Sequence, residues 1–346
     1  MPSGYRAPGV TLSRAGADTP GKGPSRMKLT HLRYITTVAE RGSLRAAARH
    51  LGITQPAITR SIREIEHELG VTLFERVPRG IVPTPMGRAF LRRAAAIQNE
   101  LRLATDEIAQ MRGSATGQVS ITLSSAVQMA LLPRVITPFR NAFPDVHLVI
   151  REGTFPTAEA ALLEGATDLY IGPLSERPQS GELSIEKLFD NTRLVFGRKG
   201  HPRAGARSLS DLADAKWIRT LVAVDKSAEL ANVFQHYGLE PPQAELTAGS
   251  TMAIILAAAN SDLLAMLPVQ WLEFVATREL LQPIPIVEAL PAPPICMASR
   301  SRLPLTPAAE FLSDLFRRAA QHHLRDMGKK GFAVHSDADS ASILRF

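Results

Sequence analysis

Cysteine is almost absent from this chain of 346 residues, which contains only Cys296. No internal disulfide can form and no zinc site built from several cysteines can be completed, so a disulfide-stabilised secreted fold is excluded. This composition suits a reducing compartment, and we expect a cytoplasmic protein. No apolar run is long enough to span a bilayer, because the most apolar stretch, 252–275, contains the charged residues Asp262 and Glu273. We therefore expect no membrane partner.

Motifs of common enzyme classes are also lacking. The sequence has no P-loop, no GxSxG nucleophile elbow and no HExxH metal motif, and the run GSATG at 113–117 lacks the lysine that phosphate chemistry needs. His322 and His323 are adjacent near the end of a predicted helix, without a carboxylate or cysteine pattern around them. We expect no catalytic residues, no metal and no cofactor, and therefore a protein that is not an enzyme.

Positive charge is concentrated near the start of the chain. The formal net charge is +7, from 40 basic and 33 acidic residues. Residues 27–90 hold ten basic and five acidic residues, a balance of +5, whereas the 233 residues after 113 hold 22 and 24, a balance of −2. This asymmetry indicates an anionic partner for the N-terminal part alone, with solubility as the alternative explanation.

The composition and hydrophobic pattern of the sequence divide the chain into segments. Residues 1–26 are rich in Gly, Pro, Ser and Arg without a hydrophobic period, which predicts a disordered extension. Strong patterning begins after Met27, and a start codon at that methionine is an alternative explanation of the segment. Residues 28–112 are almost wholly helical in pattern, the GSATG run is a linker, and 326–346 are predicted to be a flexible tail.

Beyond the linker, short β-like runs alternate with helix-like runs, which predicts an α/β fold with mostly parallel sheets. The predicted strands are 118–123, 146–152, 168–171, 192–197, 263–266 and 295–298. The predicted helices are 126–142, 157–164, 228–237, 250–260 and 306–325.

Two helices joined by a tight turn are predicted near the start of the patterned region. Residues 44–51 form a short alanine-rich helix, Gly52 supplies the turn, and Thr54 is placed to cap the next helix. Apolar residues spaced by 4, 3 and 4 share one face of that second helix, namely Ile58, Ile62, Ile65 and Leu69. The polar face carries Pro56, Arg60, Arg63 and His67, flanked by Gln55 and Thr59. This pattern is typical of a helix-turn-helix, and a surface helix with solvated arginines is the alternative.

Basic residues flank this motif. The segment 73–84 has a Pro-Arg-Gly turn between apolar runs, which predicts a small β-wing. Arg76 and Arg79 lie there, placed for contact with DNA phosphates. Ser43 and Arg45 begin the first helix of the motif, where they can cap it or meet a phosphate.

A long helix follows. Thr84 is its predicted N-cap, with Pro85 at the first helical position. Apolar residues then recur at spacings of 4 and 3, namely Phe90, Ala94, Ile97, Leu101, Ala104, Ile108 and Met111. This heptad seam predicts pairing between helices of two chains, and packing of the helix on its own domain is the alternative.

The stretch from Met27 to Leu91 resembles, without a gap, the N-terminal domain of LysR-type transcriptional regulators. The resemblance includes the runs SLRAAA, TQPAITR, IREIEHELG and LFER. It implies a winged helix-turn-helix domain over 27–84, a linker and dimerisation helix over 85–113, and an effector-binding domain over 114–325. That last domain is expected to resemble a periplasmic binding protein, with two Rossmann-like α/β subdomains formed by residues 114–190 with 290–325 and by residues 191–289.

The resemblance also implies how DNA is bound. The family's base-reading positions fall on Gln55, Pro56, Thr59 and Arg60, and its phosphate-binding positions fall on Ser43, Arg45, Thr54 and Arg76. Arg63 and Arg79 are added from the helix and wing patterns. A two-fold dimer requires an inverted-repeat site in double-stranded DNA. We expect a homodimer or homotetramer, with RNA polymerase as a further partner.

The effector is expected to be a small organic anion with an apolar or aromatic body, held between the subdomains. Candidate contacts at strand ends and helix starts are Ser124, Ser125, Thr154, Phe155, Gly172, Pro173, Ser250 and Thr251. For Ser124 and Ser125, simple helix capping is the alternative, and Phe155 either stacks on the ligand or packs. Arg219 is considered as a counter-ion, with a solvated arginine as the alternative. The runs RLPLTPAAEFL and NSDLLAMLP are similar to regulators of aromatic and aromatic-sulfonate catabolism.

These observations predict a sequence-specific DNA-binding transcriptional regulator modulated by a small effector. A stand-alone small-molecule-binding protein without a regulatory role is the alternative, and it would have no use for the basic N-terminal part.

Overall fold

Apart from the side chain of Pro156, the computed structural model describes residues 27–78, 80–174, 181–220 and 229–329. The predicted extension 1–26, Arg79 and most of the predicted tail lie outside the described residues. The chain divides into two compact units, and the division falls after Ala94.

The first unit contains three helices, a two-stranded antiparallel wing and the start of a long helix. Its elements are α1 (Leu29–Arg41), α2 (Leu44–Leu51), α3 (Gln55–Leu69), β1 (Phe74–Val77), β2 (Gly80–Pro83) and α4 (Pro85–Met111). The predicted helix 44–51 is confirmed, and so is the turn at Gly52, whose φ of 67° lies in the left-handed region that favours glycine. The two predicted apolar runs of the wing form its two strands.

The core of this unit is built from the apolar faces of its helices. Ile58, Ile62 and Ile65 of α3 are buried, as the spacing predicted, and they pack with Ile35, Val38, Ala47 and Phe74. Thr54 occupies the N-cap position of α3, but its side chain makes no capping hydrogen bond, so the predicted capping role is wrong. Ser43 does cap α2, since its Oγ accepts a hydrogen bond from the Ala46 amide.

The long helix α4 starts where the sequence predicted. The amide of Gly87 donates a 2.9 Å hydrogen bond to Oγ1 of Thr84, which is therefore a true N-cap. Phe90 and Leu91 pack against the core of the first unit. The division between the compact units therefore lies inside the helix, rather than at either end of the predicted linker segment 85–113.

The second unit is an α/β domain. Its strands are β3 (Gly117–Leu123), β4 (Val146–Glu152), β5 (Leu169–Pro173), β6 (Leu183–Arg198), β7 (Lys216–Thr220), β8 (Ala244–Ala248), β9 (Leu263–Pro268), β10 (Leu281–Ile284) and β11 (Pro291–Arg300). Its helices are α5 (Ser125–Ala130), α6 (Leu132–Ala142), α7 (Phe155–Leu163), α8 (Glu229–His236), α9 (Thr251–Ala259), α10 (Val275–Leu280) and α11 (Pro307–Lys329).

The strands follow the order β4-β3-β5-β11-β6-β9-β7-β8, with β10 paired to β6. Strand β3 is parallel to β4 and β5, and β7 is parallel to β8 and β9. The long strand β6 pairs with β11 as far as Thr192 and with β9 from Arg193 onward, so it crosses from one half of the sheet to the other. We call these halves subdomain I, which contains β3, β4 and β5, and subdomain II, which contains β7, β8 and β9.

The prediction of mostly parallel sheets is wrong at the crossing strands. Both β6 and β11 are antiparallel to every strand beside them, because one carries the chain out of subdomain I and the other carries it back. Strand β6 also begins nine residues before its predicted start at 192. The short strands β7, β8 and β10 were not predicted.

Two predicted helices differ from the structure. The helix predicted over 126–142 is two helices, α5 and α6, which meet at Leu131, and Pro133 stands in the first turn of α6. A proline favours the start of a helix and not its interior, which explains the break. Helix α11 continues to Lys329 with Met327 buried, so 326–329 are helical and not part of a flexible tail.

Candidate nucleic-acid interface and ligand cavity

The outward face of α3 forms one continuous open surface. It is lined by Gln55, Pro56, Thr59, Arg60, Arg63, Glu64 and His67. The buried face of the same helix anchors it through Ile58 and Ile65, both of which have no solvent exposure. The helix therefore presents a polar, mainly basic face from a rigid support, as the helical arithmetic predicted.

The chemistry of this surface matches base edges in a major groove. A glutamine amide pairs with adenine and an arginine guanidinium with guanine, whereas a carboxylate accepts from cytosine. Oγ1 of Thr59 donates a 3.0 Å hydrogen bond to the carbonyl of Gln55, so this hydroxyl is used within the helix. Glu64 was not predicted, although it lies one turn after Arg60 on the same face. Its carboxylate is 3.8 Å from Nε2 of His31.

The predicted phosphate-binding residues lie on other elements of the same unit. Arg45 on α2, Thr54 before α3 and Arg76 on β1 are all exposed. Ser43 is half-buried at the start of α2, where its hydroxyl serves as the cap. Arg79 lies outside the described residues.

The heptad seam of α4 is divided between the two units. In the first unit Phe90 packs on the helix-turn-helix core and Ala94 is buried. In the second unit the later seam residues are exposed, with exposed fractions of 48% for Ile97, 50% for Leu101 and 58% for Ile108. Ala104 and Met111 are also exposed. We call Ile97, Leu101, Ala104, Ile108 and Met111 the linker stripe.

The other side of this part of α4 is fixed to the α/β domain. The side-chain amide of Asn99 donates a 2.9 Å hydrogen bond to the carbonyl of Glu164, and the Ala308 amide donates a bond of the same length to Oε1 of Gln110. Glu100 pairs with Arg300. These bonds hold one face of the helix inward and leave the linker stripe facing outward.

A cavity of about 80 Å³ lies between the two subdomains, and we call it the cleft cavity. Subdomain I contributes Ser125, Thr154, Phe155 and Pro173, all four of which were predicted as effector contacts. Subdomain II contributes Thr220, Glu229, Met266, Leu267, Pro268 and Trp271. The crossing strands and their approach contribute Asn191, Arg193 and Pro293. The cavity thus has apolar walls with a few polar groups, as small-molecule sites usually do.

The charged groups of the cleft cavity are Arg193 and Glu229, which form an ion pair. The Arg193 guanidinium also donates a 2.6 Å hydrogen bond to the carbonyl of Pro291. Neither residue was predicted as a contact. The available signal was a single arginine in the otherwise apolar strand run TRLVFG, where a charged side chain needs a partner. Trp271 was missed as well, because nothing in the sequence near it marks a ligand contact.

Other predicted effector contacts lie outside the cleft cavity. Ser124 is buried and caps α5, its Oγ accepting a 3.4 Å hydrogen bond from the Val127 amide. The space beside the Cα of Gly172 is filled by the ring of Tyr170, so the glycine makes room for a tyrosine and not for a ligand. Arg219 is half-buried beside Glu229 in a small neighbouring pocket.

Ser250 and Thr251 line a separate, larger groove of about 660 Å³ on another part of the boundary between the subdomains. Ser125 borders both this groove and the cleft cavity. Oγ1 of Thr251 donates a 2.9 Å hydrogen bond to Oε1 of Glu152. The structure therefore places four predicted effector contacts at the cleft cavity and two more at the groove, whereas Ser124 and Gly172 line neither.

Burial raises the pKa values of several ionisable groups in the α/β domain, among them Asp168 and Cys296. The pKa of Asp168 is raised mainly by burial, although its Oδ2 accepts a 2.7 Å hydrogen bond from the Ser120 amide. Burial also raises the pKa of the Cys296 thiol to about 11. Within the described ranges no group of three or more His, Cys, Asp or Glu side chains is placed to hold a metal ion. In that same part of the chain, no helix combines the length and apolarity that crossing a bilayer requires.

Comparison with known proteins identifies both units. The family described as the LysR substrate binding domain matches residues 112–321, and the bacterial regulatory helix-turn-helix proteins of the lysR family match residues 29–88. The transcriptional regulator TdcA of Escherichia coli (strain K12) is 26% identical over 296 residues, which are 86% of this chain and 94% of that protein.

Solved structures share the fold. A crystal structure of CbnR, a LysR family transcriptional regulator, has a TM-score of 0.65 at 22% identity and covers 85% of this chain and 99% of that one. Full-length CbnR in complex with its target DNA has a TM-score of 0.64 at 22% identity, covering 85% and 100%. The predicted fold class is confirmed. These matches do not confirm the resemblance to regulators of aromatic catabolism, which stays a prediction.

Proposed function

The chain belongs to the LysR family of bacterial transcriptional regulators, and we propose that it binds an inverted-repeat promoter site through α3 in a manner set by a small effector. The observation that carries this proposal is the outward face of α3, where Gln55, Arg60 and Arg63 share one exposed surface. A regulator of this kind acts at the chromosome, so we place the protein in the cytoplasm, and we assign it no catalytic role.

Base reading is proposed for Gln55, Pro56, Thr59 and Arg60. Arg60 and Gln55 offer paired donors and acceptors to guanine and adenine, and the methyl group of Thr59 is suited to thymine, since its hydroxyl is already bonded to Gln55. Arg45, Thr54, Arg63 and Arg76 are exposed and are proposed to meet phosphates, which fixes the register of the helix on the duplex. Ser43 and Arg79 complete the proposed set.

The assembled form that we propose is a homodimer, or a homotetramer made from two dimers. The linker stripe supports this proposal, because four of its five side chains are apolar and larger than alanine, and all five are exposed in the single chain. Contiguous exposed apolar side chains at heptad spacing are typical of a helix-pairing surface. RNA polymerase is the proposed protein partner, since a regulator bound at a promoter acts beside it.

The effector that we propose is a small organic anion bound in the cleft cavity. Ser125, Thr154 and Arg193 supply hydrogen-bond donors to the cavity. Phe155 and Pro173, with their apolar neighbours, form much of its apolar wall. A ligand that binds there touches both subdomains, so it can favour one arrangement of them over another.

The test is fluorescence anisotropy of a labelled palindromic duplex of the T-N11-A type, titrated with the full-length protein. We expect tight binding by the wild type, which Arg60→Ala weakens on the palindrome much more than on random duplex. Arg140→Ala is the matched control, because it removes an exposed arginine from α6 of the α/β domain. Equal loss with both variants would overturn the base-reading role of α3. If the protein binds no duplex, the result would favour the alternative of a stand-alone small-molecule-binding protein.

A further inference from the structure

The ion pair in the cleft cavity occupies an unusual position for a purely structural contact. Arg193 is the first residue of β6 to pair with β9, and Glu229 is the first residue of α8. Both side chains line the cavity, with exposed fractions of 10% for Arg193 and 26% for Glu229. The carboxylate of Glu229 is therefore more exposed than the guanidinium of Arg193. The pair is therefore asymmetric, with a fixed cation and a more accessible anion.

Trp271, another residue that lines the cleft cavity, carries a donor without an acceptor among the described residues. Trp271 lines the cavity and is 1% exposed, and its indole N–H finds no hydrogen-bond acceptor among the described residues. An indole can only donate, and a buried donor without a partner destabilises the folded state. A ligand oxygen within hydrogen-bond distance of this N–H removes that cost.

The remaining lining sets the shape of the ligand. Phe155, Met266 and Leu267 give apolar contact, with Pro173, Pro268 and Pro293 beside them. A volume of about 80 Å³ is well below the several hundred Å³ that larger ligands occupy, so the body of the ligand is short. The side chains able to donate to a ligand oxygen include Arg193 and Trp271 together with the hydroxyls of Ser125 and Thr154.

We propose that the effector is a small monocarboxylate whose carboxylate replaces Glu229 on Arg193 and whose oxygens accept from Trp271. This inference rests on the proposed function and names the ligand class and the exchange at its site. When the ligand pairs with Arg193, Glu229 is released and the first turn of α8 loses its tie to β6. The ligand and Glu229 compete for one guanidinium, so ligand binding is coupled to the position of α8. The state in which α8 is tied to β6 and the state in which it is released therefore have different affinities for the ligand.

The experiment is calorimetric titration of the full-length protein with propionate, with propionamide as the neutral isostere and propylamine as the cation. Glu229→Gln removes the competing charge and keeps the shape, so propionate should bind this variant at least about tenfold more tightly than it binds the wild type. Glu229→Ala is the second variant, in case the glutamine variant does not fold. Trp271→Phe should weaken propionate binding about fivefold to tenfold, because it removes the N–H and keeps an aromatic ring.

The control variants distinguish propionate binding in the cleft cavity from a general effect of the protein's charge on propionate binding. Glu245 pairs with Lys216 at an exposed site in the same subdomain, so Glu245→Gln should leave propionate binding unchanged. Arg193→Gln added to Glu229→Gln should abolish it. The chain has two tryptophans, and Trp217 is fully buried away from the cavity with its indole bonded to Leu212. Propionate should therefore change the emission of the wild type but not that of Trp271→Phe.

Three results would overturn the inference: equal propionate affinity in wild type and Glu229→Gln, equal response to propionate and propionamide, or binding of propylamine that is lost with Glu229. The same preparations are assayed for the palindromic duplex. A chain that binds the duplex but gives one of these results contradicts the ligand class alone, whereas a chain that does not bind the duplex contradicts the proposed function.

Discussion

The hydroxyl of Thr251 donates a 2.9 Å hydrogen bond to Oε1 of Glu152 and so joins the start of α9 in subdomain II to the end of β4 in subdomain I. Both residues border the larger groove. The contact joins the two subdomains away from the crossing strands. It helps to fix the arrangement that encloses the cleft cavity.

Thr251→Val should loosen this contact. Valine keeps the shape of threonine and removes the donor, and a partly exposed bond of this kind contributes on the order of 0.5–1 kcal/mol to the free energy of unfolding. Urea denaturation measures this difference. Thr251→Ser keeps the hydroxyl and is the matched control, so equal losses in the serine and valine variants would show that the hydrogen bond is not the cause.

For Gly87→Ala, the sign of the change in stability shows whether helix propensity or close packing dominates at this position. Gly87 lies in the first turn of α4, and a Cβ there would collide with the carbonyl oxygen of Leu73. Helix propensity alone favours alanine by about 1 kcal/mol, whereas overpacking against backbone costs about 1–3 kcal/mol. We expect the variant to lower the unfolding temperature of the helix-turn-helix unit and to weaken DNA binding.

Scanning calorimetry of the full chain measures the effect, with Gly205→Ala as the control, because a Cβ at Gly205 meets open space. Stabilisation by Gly87→Ala would contradict the close approach of α4 to Leu73.

Asp168 predicts a pH dependence of stability. Burial raises its pKa above the ordinary 3.8, so the folded protein holds this proton more tightly than the unfolded chain does. The contribution of Asp168 to stability is therefore full below pH 3.8 and falls as the pH rises through the raised pKa. Asp168→Asn cannot ionise, and its amide oxygen can still accept from the Ser120 amide.

The measurement is urea unfolding of wild type and Asp168→Asn between pH 3.5 and 6.5. The free energy of unfolding of the wild type should decrease relative to that of the variant as the pH rises. A difference that stays constant, or that increases with pH, contradicts the raised pKa.

Much of this fold follows from local sequence pattern. Helix α2 was predicted from its alanine-rich run, and α3 because its apolar residues repeat at helical spacing over one buried face. Strands β3 and β4 were predicted from their apolar runs. The start of α4 was predicted from Thr84 and Pro85 alone. These elements are specified by residues close together in the chain.

The features that escaped prediction depend on distant residues. Arg193 and Glu229 are 36 positions apart and meet only because β6 crosses between the subdomains. Gly172 was predicted as an effector contact, but the ring of Tyr170 fills the space beside it. Strands β7, β8 and β10 are four or five residues long, and polar or charged residues interrupt the apolar run in each. Tertiary pairing, and not local pattern, determines these positions.

Ile97→Asp combined with Leu101→Asp should disrupt assembly. Both side chains are about half exposed in the single chain, so the substitutions leave its core intact but place charges on the linker stripe. We expect sedimentation velocity to show monomers and palindrome binding to be lost, with the α/β domain still folded by circular dichroism. Arg92→Asp and Arg93→Asp, on exposed positions outside the stripe, form the matched double control. A dimer that survives the first pair would reject the assigned seam.

The central claim is that α3 reads base sequence on a two-fold site, and in vitro selection from a pool of random duplexes tests it most directly. We expect wild-type protein to enrich an inverted repeat whose half-sites lie about one helical turn apart, because two copies of α3 related by a two-fold axis must enter successive major grooves. Arg60→Ala should enrich the same repeat with preference lost at one base pair of each half-site, which is worth about 1–3 kcal/mol. A wild-type selection that enriches no motif, or a motif without two-fold symmetry, would contradict the account.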